Sequence, residues 1–269
     1  MYPVISFPGF FISQIYLFGV CMVIAWILFF YGLHRRAIVS GITKHIFRYV
    51  TTFTFVIFIG SRLMYVFSQW RTEKFIFQDF LSGSDKFSIF LGKFLFSSGT
   101  GEYNLSFAGG VIGFLLVFFW LTKSQKKQRI QYFDIIIPAF FIAAIVGYFG
   151  AFLGGQIYGV PFESFISLEY KHKYNIVPLQ KPLFPLPIFY MIIAIIGAAG
   201  SYILSKKILP KGFIGAAGLG FFSVMLFLFE FLNGADDTLS SHFFFNINQF
   251  LSIFGILFAF GVFLKIIRE

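Results

Sequence analysis

Seven long apolar segments constrain this chain more than any other feature. They lie at about residues 12–33, 48–67, 105–122, 133–157, 183–205, 212–232 and 247–264, and each is long enough to cross about 30 Å of hydrocarbon as a helix. The runs are continuous rather than alternating, which favours helices over a membrane β-barrel. With 58% hydrophobic and 12% charged residues, a soluble domain could not bury the apolar surface. The sequence therefore predicts an all-α, polytopic membrane protein with about seven transmembrane helices.

The segments follow one another without an internal repeat or a linker, so we expect a single transmembrane domain over residues 1–269. The first run is too long for a signal peptide and no basic region precedes it, so we expect no cleaved leader. Two loops are long, at about 68–104 and 158–182, and both are expected to be ordered. In the first loop, Phe75, Phe77, Phe80 and Leu81 indicate an amphipathic helix at the membrane interface.

The distribution of charge predicts the orientation in the membrane. If the N-terminus is outside, thirteen of the 21 Lys and Arg residues lie in inner segments and seven in outer ones. Eight of the eleven acidic residues then lie outside. The positive-inside rule therefore predicts that the N-terminus is outside and the C-terminus inside. The basic residues form short clusters between apolar spans, which indicates contact with anionic lipid and does not favour nucleic acid.

Three charged side chains lie within or at the edge of the predicted spans. Because a charge in hydrocarbon costs at least about 2.5 kcal/mol, each needs a partner or a route to water. We expect Arg62 to reach the outer headgroups, or to pair with Glu230, with Glu102 or with a lipid phosphate. Asp134, at the start of the fourth span, is interpreted as an anchor at the inner interface.

Two glycine-rich segments, GEYNLSFAGGVIG at 101–113 and GYFGAFLGGQIYG at 147–159, lie at the ends of predicted spans. Small residues permit close helix packing, and they also let backbone N–H groups face a phosphate at a helix N-terminus. None of the four histidines lies in a span, so no buried histidine base is expected. We expect no metal site and no cofactor, since metal clusters, catalytic triads and phosphate-binding loops are not recognisable in the sequence.

Short motifs in a fixed order add a resemblance to these observations. They are Pro3-Val4-Ile5 followed by Tyr16, GSRLMYV at 60–66, LSFAGGVIG at 105–113, Asp134-x-x-x-Pro138, the segment 147–159, Glu230-Phe231, and Gln249 before Leu251. Together these motifs resemble the prolipoprotein diacylglyceryl transferase family. The resemblance implies a seven-span enzyme of the bacterial inner membrane, with Tyr16 in its first span. Such enzymes move the diacylglyceryl group of phosphatidylglycerol onto the lipobox cysteine of lipoprotein precursors.

The departures from the family motifs fall on polar positions. The histidine of S-F-H-G-G is replaced by Ala108. In the signature G-R-x-G-N-F-x-N-G-E-x-Y-G, the arginine, two asparagines and glutamate are replaced by Tyr148, Ala151, Gly154 and Gln156. The motif H-P-S-Q-L-Y-E becomes FPLPIFY at 184–190, and two arginines flanking Glu230 become Leu226 and Asn233.

Three hypotheses follow from this pattern. The first is a catalytically impaired family member that binds phospholipid, with phosphatidylglycerol expected, or a lipoprotein precursor, as the subunit of a membrane complex. The second is an active transferase with a rearranged site, and the third is an unrelated transporter or channel. The catalytic residues are not predicted. The candidates for lipid-headgroup binding are Tyr16, Arg62, Tyr103, Asn104, Ser106, Gly109, Gly110, Gln156, Tyr158 and Glu230.

Overall fold

The computed structural model describes residues 3–6, 14–42, 46–68, 70–83, 86–96, 105–125, 128–172, 177, 181–234 and 245–268. In this part of the chain the helices are α1 (Leu17–Val39), α2 (Val50–Ser68), α3 (Trp70–Leu81), α4 (Phe87–Phe96), α5 (Phe107–Leu121), α6 (Arg129–Gly154), α7 (Leu186–Ser205), α8 (Phe213–Phe229) and α9 (Ile247–Arg268). Two short strands, β1 (Val4–Ser6) and β2 (Gln14–Tyr16), pair in antiparallel fashion. Short 3-10 helices cover Ile46–Arg48 and Glu230–Leu232.

The helices confirm an all-α, multi-pass membrane protein. Among the described residues, six helices of at least 19 residues are apolar enough to cross a membrane: α1, α2, α6, α7, α9 and the continuous segment Phe213–Leu232. The seventh apolar segment forms the shorter helix α5, whose 15 residues extend about 23 Å. The predicted orientation of the termini stays a prediction.

The start of the first span was predicted about five residues too early. Gln14–Tyr16 pair with Val4–Ser6, and the Leu17 N–H donates to the Pro3 carbonyl at 2.9 Å. Backbone groups used in this hairpin are not available to a helix, so α1 begins only at Leu17. It then continues past the predicted end into the basic residues, where Arg36 in the last turn interacts favourably with the helix dipole.

The described structure divides into two compact units, and the prediction of a single domain stays a prediction. The first unit contains residues 1–45, 127–235 and 252–269. Helix α6 is its centre and packs against α1, α7 and α8. Small residues let the helices approach closely. A Cβ on Gly32 of α1 would lie 3.3 Å from the Ala139 Cβ of α6, and one on Gly218 of α8 would lie 2.6 Å from Ile137.

The segment between α6 and α7 is ordered over most of its length and is tied to the end of α8. The Gly159 N–H donates to the Phe184 carbonyl at 3.2 Å, and the Val160 N–H donates to the Leu232 carbonyl at 3.0 Å. The Gly234 N–H donates to the Tyr158 carbonyl at 2.9 Å. These bonds hold the segment over the ends of α6, α7 and α8 within the first unit.

The second unit contains residues 46–126 and 236–251. Its main contact is the packing of α2 against α5, where glycines replace side chains at the crossing. Helices α3 and α4 form the predicted first loop and confirm that it contains a helix. Phe77 and Phe80 of α3 contact Phe90 of α4, whereas Leu81 is 81% exposed. The side chain of Phe75 lies outside the described residues.

Candidate functional site

A buried carboxylate lies in the interior of the first unit, at the end of α8. Glu230, directly after α8, is 6% exposed. The Tyr190 hydroxyl of α7 donates to its Oε1 at 3.0 Å, and the Asn233 side-chain amide donates to its Oε2 at 3.0 Å. Tyr148 of α6 stacks on Tyr190, with ring centroids 5.1 Å apart, and is close enough to Glu230 for an electrostatic interaction. We call Tyr148, Tyr190, Glu230 and Asn233 the Glu230 cluster.

Local structure explains why these side chains meet. α7 begins at a proline pair, Pro185 and Pro187, which suits a first helical turn and brings Tyr190 one turn into the helix. α8 ends in a 3-10 turn in which the Asn233 N–H donates to the Glu230 carbonyl. This turn places the Asn233 amide beside the Glu230 carboxylate. The cluster therefore forms where three helices end and the loop between α6 and α7 covers them.

The Glu230 cluster collects several of the departures from the family motifs. Tyr148 and Asn233 occupy two arginine positions, and Tyr190 occupies the glutamate position of H-P-S-Q-L-Y-E. Leu226, at a further arginine position, is 5% exposed and lies one helical turn before Glu230. The sequence showed these changes as scattered along 85 residues. The structure brings Tyr148, Tyr190 and Asn233 together around Glu230.

The chemistry of this neighbourhood follows from its composition. Glu230 is anionic when ionised, and the contacts described above bring two phenols and an amide to it. Neutral donors stabilise a carboxylate but provide less stabilisation for a phosphate than arginine does, since charge-assisted bonds are roughly twice as strong. A phosphate that develops charge here would also be repelled by Glu230. The cluster can therefore hold a proton or a neutral polar group better than an anion.

Arg62 is the buried charge of the second unit. It is 2% exposed, its Nε donates to the Phe94 carbonyl at 2.6 Å, and its guanidinium lies 5.3 Å from the Tyr65 ring centroid. Phe94 is in the last turn of α4, where carbonyls lack helical partners and the helix dipole is negative. This hydrogen bond links the end of α4 to α2. The sequence did not predict the contact. Glu102, one of its predicted partners, lies outside the described residues.

The glycines of α5 are used for helix packing. A Cβ on Gly109 would overlap the Gly60 carbonyl of α2, and one on Gly110 would lie 2.8 Å from the Ser61 Oγ. At the start of α5 the Gly109 N–H donates to the Ser106 Oγ at 3.4 Å, and the Gly110 N–H donates to the Ser106 carbonyl at 3.1 Å. These amides already have partners, so the contacts favour the packing interpretation of this segment. A headgroup role for Ser106, Gly109 and Gly110 stays a prediction.

Asp134 has a structural role that the sequence did not reveal. The N–H groups of Gly212 and Gly215, at the start of α8, donate to its two carboxylate oxygens at 2.5 Å and 2.7 Å. Asp134 belongs to α6, so a side chain of one helix accepts the N-terminal hydrogen bonds of another, the role that a capping side chain usually has. The interpretation as an interface anchor missed this because Gly212 and Gly215 are about 80 residues away. A signal was present in the sequence, since α8 begins after a glycine and not after a Ser, Thr, Asp or Asn cap.

The remaining candidates are distributed along the first unit or lie outside the described residues. Tyr16 is the N-cap residue of α1 and is 55% exposed, so it precedes the first span. Gln156 follows the end of α6, where its N–H donates to the Ala151 carbonyl at 3.1 Å. Tyr158 packs against an apolar cluster in the loop between α6 and α7. Tyr103 and Asn104 lie outside the described residues.

The same apolar cluster contains a residue that the sequence did not single out. Tyr170 is 5% exposed, and its hydroxyl has no hydrogen-bond partner within the part of the chain that the structure describes. Burial raises the pKa of Tyr170 to about 12. Nothing in the local sequence distinguishes Tyr170 from the other tyrosines, because its burial depends on Val177 and Leu183 folding back over it.

Comparisons with known proteins agree with the motif resemblance. The family model for prolipoprotein diacylglyceryl transferase matches residues 6–265. The chain is 26% identical over 202 residues to the phosphatidylglycerol–prolipoprotein diacylglyceryl transferase 2 of Clostridium perfringens, covering 73% of this chain and 69% of that protein. It is 25% identical over 245 residues to the corresponding transferase of Blochmanniella floridana, covering 82% and 80%. A Prochlorococcus marinus transferase is 29% identical over 105 residues, and this chain spans only 34% of its length.

Proposed function

The chain belongs to the prolipoprotein diacylglyceryl transferase family, and from this premise we propose that it is a member whose transferase activity is absent or strongly impaired. It keeps the family's membrane fold and binds phospholipid, or a lipoprotein precursor, as the subunit of a complex in the bacterial inner membrane. The names of its relatives pair phosphatidylglycerol with prolipoprotein, so these are the two ligand classes to test first.

The observation that carries this proposal is the composition of the Glu230 cluster. Transfer to a cysteine requires a thiolate, and a thiol of pKa about 8.5 needs a base or a positive field to ionise. The reaction also expels glycerol phosphate, whose growing negative charge needs cations or strong donors. Tyr148, Leu226 and Asn233 supply no cation at the positions where the family motifs have arginine.

The expected loss of rate is large. Removal of one group that stabilises developing charge typically costs on the order of 10²–10³ in rate. Groups that act together do not contribute independently, so the loss of several leaves little catalysis. Ala108, which replaces the motif histidine, is 1% exposed and offers no base. Arg62 in the second unit already donates from Nε to the Phe94 carbonyl.

One contact favours the alternative of an active transferase with a rearranged site. The hydrogen bond from the Tyr190 hydroxyl to Glu230 links a proton donor to a carboxylate, the kind of pair that relays a proton. In this alternative Glu230 acts as the base that ionises the incoming thiol. Glu230→Gln separates the two hypotheses because it keeps the size of the side chain and removes the base.

The deciding experiment is a transfer assay with purified protein, phosphatidylglycerol and a lipobox peptide. We expect no turnover above background, while mass spectrometry of the purified protein detects bound phospholipid. Tyr148→Arg should not restore turnover, because the missing groups act as a unit. Turnover close to that of an intact family enzyme, abolished by Glu230→Gln, would instead support the rearranged active site. Complementation in cells depleted of their own transferase provides the matching test in vivo.

A further inference from the structure

An apolar crevice lies in the first unit, at the end where α6 and α8 begin and α9 ends. At its base Gly215 of α8 packs on Phe133 of α6, and a Cβ on Gly215 would lie 2.5 Å from the Phe133 backbone. The Phe258 ring of α9 lies beside them, with its centroid 5.0 Å from that of Phe133. Leu219 and Val262 line the crevice further, and all of its lining residues are apolar. The crevice is shallow, so it fits a flexible hydrocarbon chain that lies along it.

The crevice extends from the ends of the helices into the membrane. From Gly212, which precedes α8, it reaches Leu219, a rise of about 10 Å along the helix axis. α6, α9 and the segment Phe213–Leu232 are each long and apolar enough to cross a membrane. In a bilayer the molecule beside such helices is a lipid, so an acyl chain lies against the crevice.

Basic residues flank the crevice. Arg129 and Lys211 each directly precede a residue that lines it, and Lys265 follows Val262 by one helical turn of α9. Lys211 and Lys265 are exposed, and Arg129 is half-buried. Asp134, an acidic residue at this end of the described helices, already accepts two backbone N–H groups of α8. The ends of α6, α8 and α9 therefore carry an excess of positive charge beside an apolar surface.

The turn between α7 and α8 extends this pattern. Lys206 and Lys207 are exposed, and Ile208, which follows them, is fully exposed. The turn is ordered, since the Phe213 N–H donates to the Pro210 carbonyl at 3.2 Å. An exposed apolar side chain among lysines is typical of a segment at the boundary between acyl chains and anionic headgroups. We therefore expect this turn to lie at the level of the headgroups.

We infer that the crevice is a binding site for an anionic phospholipid. Its acyl chain lies along Phe133 and Phe258, and its phosphate lies among Arg129, Lys211 and Lys265. A zwitterionic lipid makes the same apolar contact, but these cations repel its ammonium group.

This site is separate from the Glu230 cluster and does not depend on the proposed function. Phe133 and Tyr148 are 15 residues apart in α6, a distance of about 22 Å along the helix axis. The lipid at the crevice is therefore bound away from the positions that correspond to the reactive motifs of the family.

The test measures how brominated lipids quench a single tryptophan in the full chain. Trp26, Trp70 and Trp120 are first replaced by Phe. Phe258→Trp then reports on the crevice, where Phe258 is 41% exposed. Phe260→Trp is the matched control, because Phe260 is 59% exposed at nearly the same depth of α9 and lies two residues on, so it faces another direction. Each protein is reconstituted in mixed vesicles of phosphatidylglycerol and phosphatidylethanolamine in which one lipid is brominated.

The expected result is a preference for phosphatidylglycerol at the crevice alone. One cation near an anionic headgroup contributes about fivefold in binding, so the preference at Phe258→Trp should reach at least about tenfold. At Phe260→Trp it should be close to one. Lys211→Gln combined with Lys265→Gln should lower the preference at the crevice by at least about fivefold. Lys181→Gln removes an exposed cation from the loop between α6 and α7 and should leave the preference unchanged.

The other outcomes overturn the inference. Equal preferences at the two tryptophan positions would mean that the crevice selects no lipid. A preference that survives the combined lysine variant would mean that these cations do not bind the headgroup. Weak quenching at Phe258→Trp by both lipids would mean that a second copy of the chain or another helix covers the crevice. Circular dichroism of each variant verifies that it is folded, and none of these results bears on the transfer assay.

Discussion

Asp134 allows the sharpest test of how the helices of the first unit are held together. Its carboxylate accepts backbone N–H groups from Gly212 and Gly215, at 2.5 Å and 2.7 Å, and these are among the first N–H groups of α8. In a helix these groups have no internal partner. Asp134→Ala leaves both without an acceptor, and it also removes a negative charge from the positive end of the helix dipole.

The magnitude follows from two hydrogen bonds to a charged group, each worth about 1.5–3 kcal/mol when fully buried. Asp134 is only partly buried, so water replaces part of the loss. We therefore expect Asp134→Ala to lower the free energy of unfolding by about 2–4 kcal/mol. Asp134→Asn keeps one acceptor oxygen but turns an NH₂ group towards the other N–H. It should cost about half as much.

The assay is reversible unfolding in mixed detergent micelles, followed by circular dichroism. Asp79→Asn is the matched control, because Asp79 is a half-exposed partner of Lys93 at 2.9 Å and such a pair contributes less than about 1 kcal/mol. If Asp134→Ala and Asp79→Asn had the same small effect, the trans-cap argument would be refuted. Equal stability of the Asp134→Asn variant and the unmodified protein would show that the charge itself is unimportant.

Three further predictions concern packing, the buried arginine and topology. Gly109→Ala should lower the free energy of unfolding by about 1–3 kcal/mol or more, because the added Cβ overlaps the α2 backbone. Gly200→Ala is the control, since a Cβ there has nothing within 4 Å. In the same unfolding assay this control should be neutral or slightly stabilising. Arg62→Ala should release α4 and so increase proteolysis of the loop that follows α2. Arg62→Lys keeps the charge but not the guanidinium geometry, so it should restore protection from proteolysis only in part. For the topology, single cysteines are placed in a cysteine-free background and labelled from outside intact cells. A cysteine at position 172 should be labelled and one at position 207 should not. The reverse pattern would overturn the predicted orientation.

Prediction of the membrane spans from sequence succeeded because the bilayer imposes a simple rule. Backbone groups in hydrocarbon must be satisfied within the segment, so a long apolar run becomes a helix whatever surrounds it. The predicted span at 183–205 corresponds to Leu186–Ser205, and that at 247–264 to Ile247–Arg268. The error at Tyr16 arose where that rule no longer applied, since a strand pair with Val4–Ser6 satisfies the backbone there.

The candidate site could be predicted only in part. Glu230 and Arg62 were identified from sequence because a charge in an apolar segment is costly. Their partners were not, because hydrogen bonds to Tyr190 and to the Phe94 carbonyl join residues 40 and 32 positions apart. Tyr170 was missed for the same reason, since its burial needs Val177 and Leu183 to fold back over it.

The sequence by itself determined the class of protein, the position of its helices and its family. These properties depend on local hydrophobicity and on motifs that can be compared position by position. Only the tertiary structure decided that Tyr148, Tyr190 and Asn233 meet around one carboxylate, and that Asp134 and Arg62 cap helices far away in the chain. The physical reason is that apolar burial depends on composition over a short window. A polar contact instead requires two particular atoms to meet within about 3 Å, which only the packing of whole helices can arrange.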